Sequence, residues 1–328
     1  MSLEQKLIVI LGPTASGKTD LAIKMAKEFH GEIISADSRQ IYKKMDIGTA
    51  KPIGNWKLVD GKRRYLVEGI PHYAIDTVNP GKAFSVAEFK KLAVESVGDI
   101  ARRGKVPFLV GGTGLYIWSV VDNLQFPIGE PMKKLRASFD SKSITELLAL
   151  LDMVDPEASS FIDKKNKRRV IRALEVVIST GKSFLALRSK PEPLFDCLQI
   201  GLSWPHAELL QRIDERIGEQ WKKGWQKEVE SLIRQKYSFD LPSLSGIGYR
   251  EVAKYLNGEM TLSEMFRILK SETHRYAKRQ LTWFKRDKRI HWIEKNDASA
   301  ARAIIADFLN CHPERSKACL SGRQGSIR

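Results

Sequence analysis

The sequence predicts an α/β protein in which a parallel-sheet core is interrupted by an all-helical module. Short apolar runs alternate with amphipathic stretches through the first 122 residues, as strand–helix–strand units do. From about Asn123 the pattern is helical throughout, and strand-like alternation returns only at Cys197–Leu202. A turn bounded by Gly12 and Gly17 joins the first apolar run to the first helix.

Leu7–Leu11 reads as a buried strand, Lys18–Phe29 as a helix and Glu32–Ala36 as a second strand. The stretch from Pro52 to Pro80 is polar and broken by Gly54, Gly61 and Gly69. It reads as an excursion with a hairpin through Arg64–Glu68, not as a separate domain. Phe84–Arg103 is a long helix capped by Ser85, and Val106–Val110 is a third strand ending in Gly111-Gly112-Thr113-Gly114. Ile144–Leu151 and Arg168–Thr180 are amphipathic helices, the second stopped by Gly181. Further helices are expected over His206–Lys236, Gly248–Leu256 and Leu262–Lys285. The aperiodic stretch His312–Arg328 is expected to be a disordered tail. The resulting boundaries are a core of residues 1–122 and 193–310, a helical insertion of 123–192 and a tail of 311–328.

Composition bounds the class. With 42% hydrophobic and 29% charged residues in 328, the chain reads as a soluble globular protein. No apolar stretch approaches the roughly 18 residues of a membrane span. The N-terminus lacks a basic leader and a cleavage site, so its apolar run is expected to be a strand and not a signal peptide. Cys197, Cys311 and Cys319 are too scattered for a zinc or disulfide framework, which fits a reducing cytoplasm. Nothing demands more than a monomer. Lys plus Arg total 55 against 39 acids, a net +16, and such a surface attracts polyanions, nucleic acid above all. A basic enzyme with no polyanion partner is the alternative that charge alone leaves open.

Gly12-Pro13-Thr14-Ala15-Ser16-Gly17-Lys18-Thr19 matches G-x-x-x-x-G-K-[ST] in full, between a predicted strand and a predicted helix. The core is therefore expected to be P-loop NTPase-like. Glycines let backbone N–H groups wrap an anion, the helix start adds a positive dipole end, and Lys18 adds a point charge. The Thr19 hydroxyl suits a phosphate-bound Mg²⁺. The motif speaks for phosphate binding without naming what carries the phosphates. Asp37 follows the second strand directly, beside that cradle. It suits an outer-sphere Mg²⁺ ligand or a general base, or simply caps the following turn. The third strand ends in glycine with no acid, unlike the Mg²⁺-holding strand of hydrolytic NTPases.

A basic segment, Glu272–Arg289, carries Arg275, Lys278, Arg279, Lys285, Arg286, Lys288 and Arg289 with His274, Tyr276, Trp283 and Phe284 interleaved. Cations neutralise phosphates and rings stack on unpaired bases, which suits a single-stranded RNA loop. An amphipathic helix is the alternative, and most of the aromatics are expected in the core. Lys164, Lys165, Lys167, Arg168, Arg169 and Arg172 cluster at a predicted helix start, against the macrodipole, which favours an external anion over a merely solvated face.

GPTASGKT (12–19), DSRQIYKKMDIGTAKP (37–52), FSVAEFKKLA (84–93), VGGTGLY (110–116), RRVIRALEV (168–176), GIGYRE (246–251) and KRQLTWFK (278–285) resemble, in order, the blocks of the tRNA dimethylallyltransferase family. The resemblance spans residues 6 to 295 or so. It implies transfer of a dimethylallyl group from dimethylallyl diphosphate to N6 of the adenosine 3′-adjacent to the anticodon in tRNA. The P-loop would then hold a diphosphate leaving group, with Mg²⁺, and not ATP. It further implies that Asp37 is the base, that Thr113 contacts the target nucleotide and that Arg216 helps bind diphosphate. Contacts with the tRNA anticodon stem-loop are implied for Ser38, Arg39, Gln40, Arg168, Arg169, Arg172, Gly248, Tyr249, Arg250, Lys278, Arg279, Gln280, Trp283 and Lys285. Without the resemblance, Arg216 reads as an exposed helix arginine pairing with Asp214 or Gln220, and Thr113 as a helix cap. The sequence departs from the family at His72-Tyr73, where two histidines are common, and in a longer Asn55–Gly69 stretch. Rival readings are an adenylate isopentenyltransferase acting on free nucleotides, a P-loop kinase, and a non-catalytic RNA-binding ATPase module.

Overall fold

The computed structural model describes residues 5–126, 133–184 and 191–310; the tail expected at 312–328 lies outside them. The chain divides into two compact units, one of Met1–Val121 with Leu194–Arg328 and the other Asp122–Pro193.

The first unit is built on β1 (Lys6–Leu11), β2 (Gly31–Ala36), β3 (Asn55–Val59), β4 (Lys62–Val67), β5 (Ile70–Tyr73), β6 (Val106–Gly111), β7 (Asp196–Ser203) and β8 (Ile290–Glu294). They form one sheet in the order β3-β4-β5-β2-β6-β1-β7-β8. From β5 to β8 every neighbouring pair is parallel, whereas β3 and β4 join as antiparallel strands. The parallel part is buried on both faces, as crossover helices require. Leu7, Val9 and Leu11 enter one apolar cluster, while Ile8 and Ile10 enter the other. Each fully buried aliphatic side chain contributes about 1.5–3 kcal/mol. One face is covered by α1 (Lys18–Glu28) and α12 (Ala298–Asn310). The other carries α2 (Val86–Arg102), α3 (Gly114–Val121), α8 (His206–Lys222), α9 (Trp225–Arg234), α10 (Tyr249–Leu256) and α11 (Leu262–Phe284). Helix α2 starts at the expected Ser85, whose Oγ accepts the Glu88 N–H at 3.2 Å while the Glu88 carboxylate accepts the Ser85 N–H at 2.7 Å.

The 52–80 stretch extends the sheet as two consecutive hairpins with turns at Asp60-Gly61 and Glu68-Gly69, and the expected hairpin through Arg64–Glu68 is strand β4 with the start of the second turn. The helical stretch expected over 206–236 is two helices, parted at Gly224, whose φ of 98° is left-handed. Strand β8 and helix α12 were not expected from the sequence. Only Ile290 and Ile293 of β8 are buried, a spacing of three that hides an edge strand from period-two reading.

The second unit holds α4 (Lys133–Asp140), α5 (Ile144–Val154), α6 (Pro156–Phe161) and α7 (Lys167–Thr180), packed around Phe139, Leu147, Leu151, Val170 and Leu174. Gly181 ends α7 in the left-handed region, φ 65°. No helix among the described residues is long and apolar enough to cross a membrane.

Candidate active site

The loop after β1, the turn after β2 and the glycines after β6 meet at the carboxyl edge of the sheet, where α/β folds place ligands. In the first loop Ala15 (φ 62°) and Gly17 (φ 83°) adopt left-handed geometry, which turns successive amides inward. Lys18 Nζ donates to Pro13 O at 2.6 Å. From α8, Arg216 donates to Thr14 Oγ1, and Arg212 Nε donates to Ala15 O at 2.9 Å. The Arg212 guanidinium stacks on Trp204 at 4.2 Å, and the Trp204 indole donates to Ser16 O at 3.0 Å. From α11, Gln280 receives the Thr14 N–H and donates to Gly112 O, both at 2.8 Å. A Cβ at position 112 would lie 2.4 Å from Gln280 Nε2, so only glycine permits this approach.

Of these groups Thr14, Lys18, Arg216, Gly112 and Gln280 line a cavity of about 100 Å³ together with Thr19, Asp37 and Tyr276. Ala22, Ile33, Val110 and His72 also line it. Burial, then the neighbouring Arg216, push the Lys18 ammonium down to about 7, with Asp37 acting the other way. Burial also disfavours the charge on Arg216, whose buried Nε has no hydrogen-bond partner among the described residues. Two desolvated cations facing one carboxylate describe a site that gains from a bound anion. Arg216 therefore does not make the surface pair that spacing alone allowed; Asp214 bonds His274 and Lys270 instead. A bound diphosphate favours charged Lys18, so above about pH 7 binding must take up a proton. Affinity for inorganic diphosphate is expected to weaken by up to about tenfold per unit from about pH 7 to 9. Calorimetry in buffers of different ionisation enthalpy would show this proton uptake, and pH-independent affinity over that range contradicts it.

Asp37 Oδ1 accepts from Arg39 N at 2.8 Å and Gln40 N at 3.3 Å. The turn-capping role is thus real, yet the carboxylate still lines the cavity. Thr113 Oγ1 accepts the Ser38 N–H at 3.1 Å, tying the β6 turn to the β2 turn. Tyr276 adjoins Thr113; burial, then Asp37, push its hydroxyl up to about 12, so it stays a neutral phenol. As for metal, no group of three or more His, Cys, Asp or Glu among the described residues is placed to hold an ion. Thr19 and Asp37 supply cavity-lining oxygens. That set fits Mg²⁺, which takes its other ligands from substrate phosphates and water.

The residues expected to face RNA separate into two groups. Lys278, Arg279 and Lys285 are exposed on or just after α11, and Arg250 is exposed on α10. Arg39 is turned toward Ser243 O and Ser245 Oγ, at 3.1 and 3.2 Å, and Gln40 toward Thr49 O and Ala50 O, at 3.3 and 3.2 Å. Two side chains of the expected RNA-facing set lie inside the fold: Tyr249 is 1% exposed and donates to Glu228 at 2.8 Å, and Gln280 is 6% exposed, binds the P-loop and lines the cavity. Gly248 is likewise buried, against Trp225, and Trp283 packs on Trp118 at 4.7 Å and beneath Gly114. Phe284 is core, as expected of most aromatics there. In the helical unit Arg168 and Arg169 are exposed, Arg169 lying 3.6 Å from Asp163. Arg172 lies 3.3 Å from the buried Glu175 carboxylate. Sequence reasoning missed Arg212, Trp204 and the place of Tyr276 in the cavity. Arg212 had one signal, its position four residues before Arg216 on the same helix face.

The sequence model of the IPP transferase family matches residues 40–287. A tRNA dimethylallyltransferase of Acetivibrio thermocellus is 44% identical over 309 residues, covering 92% of this chain and 96% of that protein. One from Roseiflexus sp. is 43% identical, over 85% and 90% of the two chains. The crystal structure of a tRNA isopentenylpyrophosphate transferase from Staphylococcus epidermidis matches with a TM-score of 0.67 at 38% identity, covering 95% of this chain and all 100% of that one. A eukaryotic dimethylallyltransferase, captured in crystallographic snapshots acting on tRNA, matches with a TM-score of 0.77 at 26% identity, over 93% of this chain and 80% of that one. On its sequence, its P-loop α/β fold and the joint placement of its motif blocks, the chain belongs to the IPP transferase family.

Proposed function

We propose that this protein is a tRNA dimethylallyltransferase, moving the dimethylallyl group of dimethylallyl diphosphate to N6 of the adenosine 3′-adjacent to the anticodon. The observation that carries this reading is one cavity lined by Lys18, Arg216 and Asp37 together: two desolvated cations for a leaving group, one carboxylate for a proton. The C–N bond forms from N6 to C1 of the allyl group as the C–O bond to diphosphate breaks. The N6 proton passes to Asp37, which helps because an aromatic amine is a weak nucleophile. Lys18, Arg216 and the loop amides stabilise the charge that develops on the departing diphosphate. The Thr19 hydroxyl would help hold Mg²⁺, which would supply further positive charge for the leaving group. The target adenine must leave its stack to enter so enclosed a site, with Thr113 beside it.

We further read Arg168, Arg169, Lys278, Arg279 and Lys285 as contacts to the anticodon stem-loop, and the enzyme as a cytoplasmic monomer. Replacing Lys278 and Arg279 with alanine is expected to weaken tRNA binding. The slope of log affinity against log salt should fall by about one for each phosphate no longer neutralised. An unchanged slope in a filter-binding titration assigns both side chains to solvated surface.

The deciding assay uses labelled dimethylallyl diphosphate, Mg²⁺ and unmodified tRNA, with AMP and ATP as controls. Label on the RNA is the expected result. Label on AMP alone identifies a free-nucleotide isopentenyltransferase, ATP consumption a kinase, and unlabelled RNA with folded protein defeats the proposal.

A further inference from the structure

Loop 46–52 contributes Thr49, Ala50 and Pro52 to the cavity wall, yet belongs to no strand or helix. Its shape is imposed from α9. Glu228 Oε2 accepts the N–H groups of Asp46 and Ile47, each at 2.7 Å, and Oε1 accepts those of Gly48 at 3.0 Å and the Tyr249 hydroxyl at 2.8 Å. Three consecutive amides converging on one carboxylate form an anion nest whose anion is a side chain of the same protein. Four donors need a group that only accepts, and a carboxylate is one. Gln220 from α8 holds Ile47 O at 2.5 Å, and a Cβ at Gly48 would lie 2.3 Å from the Trp225 indole, so the loop is gripped and not merely covered. From the loop, Thr49 O and Ala50 O receive Gln40 Nε2, and Gln40 N in turn bonds Asp37.

We propose that Glu228 is a positioning residue: it holds loop 46–52 in the form that completes the donor cavity and steadies the turn bearing Asp37. This rests on the reading that the cavity binds dimethylallyl diphosphate. The carboxylate touches no substrate and acts through backbone geometry alone.

The test is steady-state kinetics on the full chain with donor and tRNA varied separately, alongside melting temperature and amide exchange at residues 46–48. Glu228→Gln turns an NH₂ against N–H donors. It is expected to raise the donor KM about tenfold, leave the tRNA KM within about twofold and speed exchange of those amides, with the protein still folded at the assay temperature. Glu228→Asp, still a pure acceptor but shorter, should fall between the two. A donor KM equal to that of the unaltered protein despite faster exchange overturns the proposal, as do equal rises in both KM values. If Glu228→Gln does not fold, Glu228→Asp decides by the same criteria. If the unaltered protein transfers nothing, the functional reading fails by itself. Titration with inorganic diphosphate then tests Glu228 alone: about tenfold weaker binding by the variant supports its role and equal binding refutes it.

Discussion

Replacing Asp37 with asparagine is expected to slow transfer by about 10²- to 10⁴-fold while leaving tRNA affinity within about twofold. Asparagine is the informative substitution because the carboxylate has two tasks. Its Oδ1 accepts from the amides of Arg39 and Gln40, and an amide oxygen at the same place continues to do so. What asparagine cannot do is take up the N6 proton. Asp37→Ala removes both functions and loosens the turn that leads to Arg39 and Gln40, so it should lose tRNA affinity as well as rate. Single-turnover rates with saturating tRNA, set beside equilibrium binding, separate the two. Turnover by Asp37→Asn within about tenfold of the unaltered protein removes Asp37 as the base.

Replacing Lys18 with alanine is expected to cost about 10²- to 10³-fold in kcat, the scale for deleting one preorganised stabiliser of developing charge. The ammonium is enclosed, and although burial pushes it down to about 7, the bound diphosphate keeps it charged, so it meets the developing charge with little solvent between them. The effect should sit in the chemical step more than in donor affinity, because charge on the bridging oxygen grows only as the bond breaks. Product release measured with labelled diphosphate distinguishes the cases. A Lys18→Ala variant that binds donor about tenfold more weakly yet turns over at the normal rate would mean uniform binding of substrate and transition state.

The P-loop residues and Asp37 were legible in sequence because each lies within a few positions of a strand end, and local spacing decides where such a residue goes. The same holds for Ser85 and Gly181, whose capping geometry needs only the neighbouring turn. The antiparallel extension β3–β5 was harder, since edge strands with exposed faces lack a buried stripe to mark them. Tyr249 and Gln280 show the limit most clearly. Both sit in motif blocks with exposed basic residues, and both turn inward, because helical rotation over one or two residues moves a side chain from surface to core.

By itself, then, the sequence determined the phosphate cradle, the acid beside it, the helical insertion and the family. Only the tertiary structure decided which distant groups complete the site. Arg216 and Arg212 come from a helix roughly two hundred positions after the loop they bind, and Gln280 from one later still. Glu228 reaches across a comparable interval to the amides of 46–48. Such contacts depend on how helices lie across the sheet, which apolar burial on both faces dictates and which no local spacing encodes.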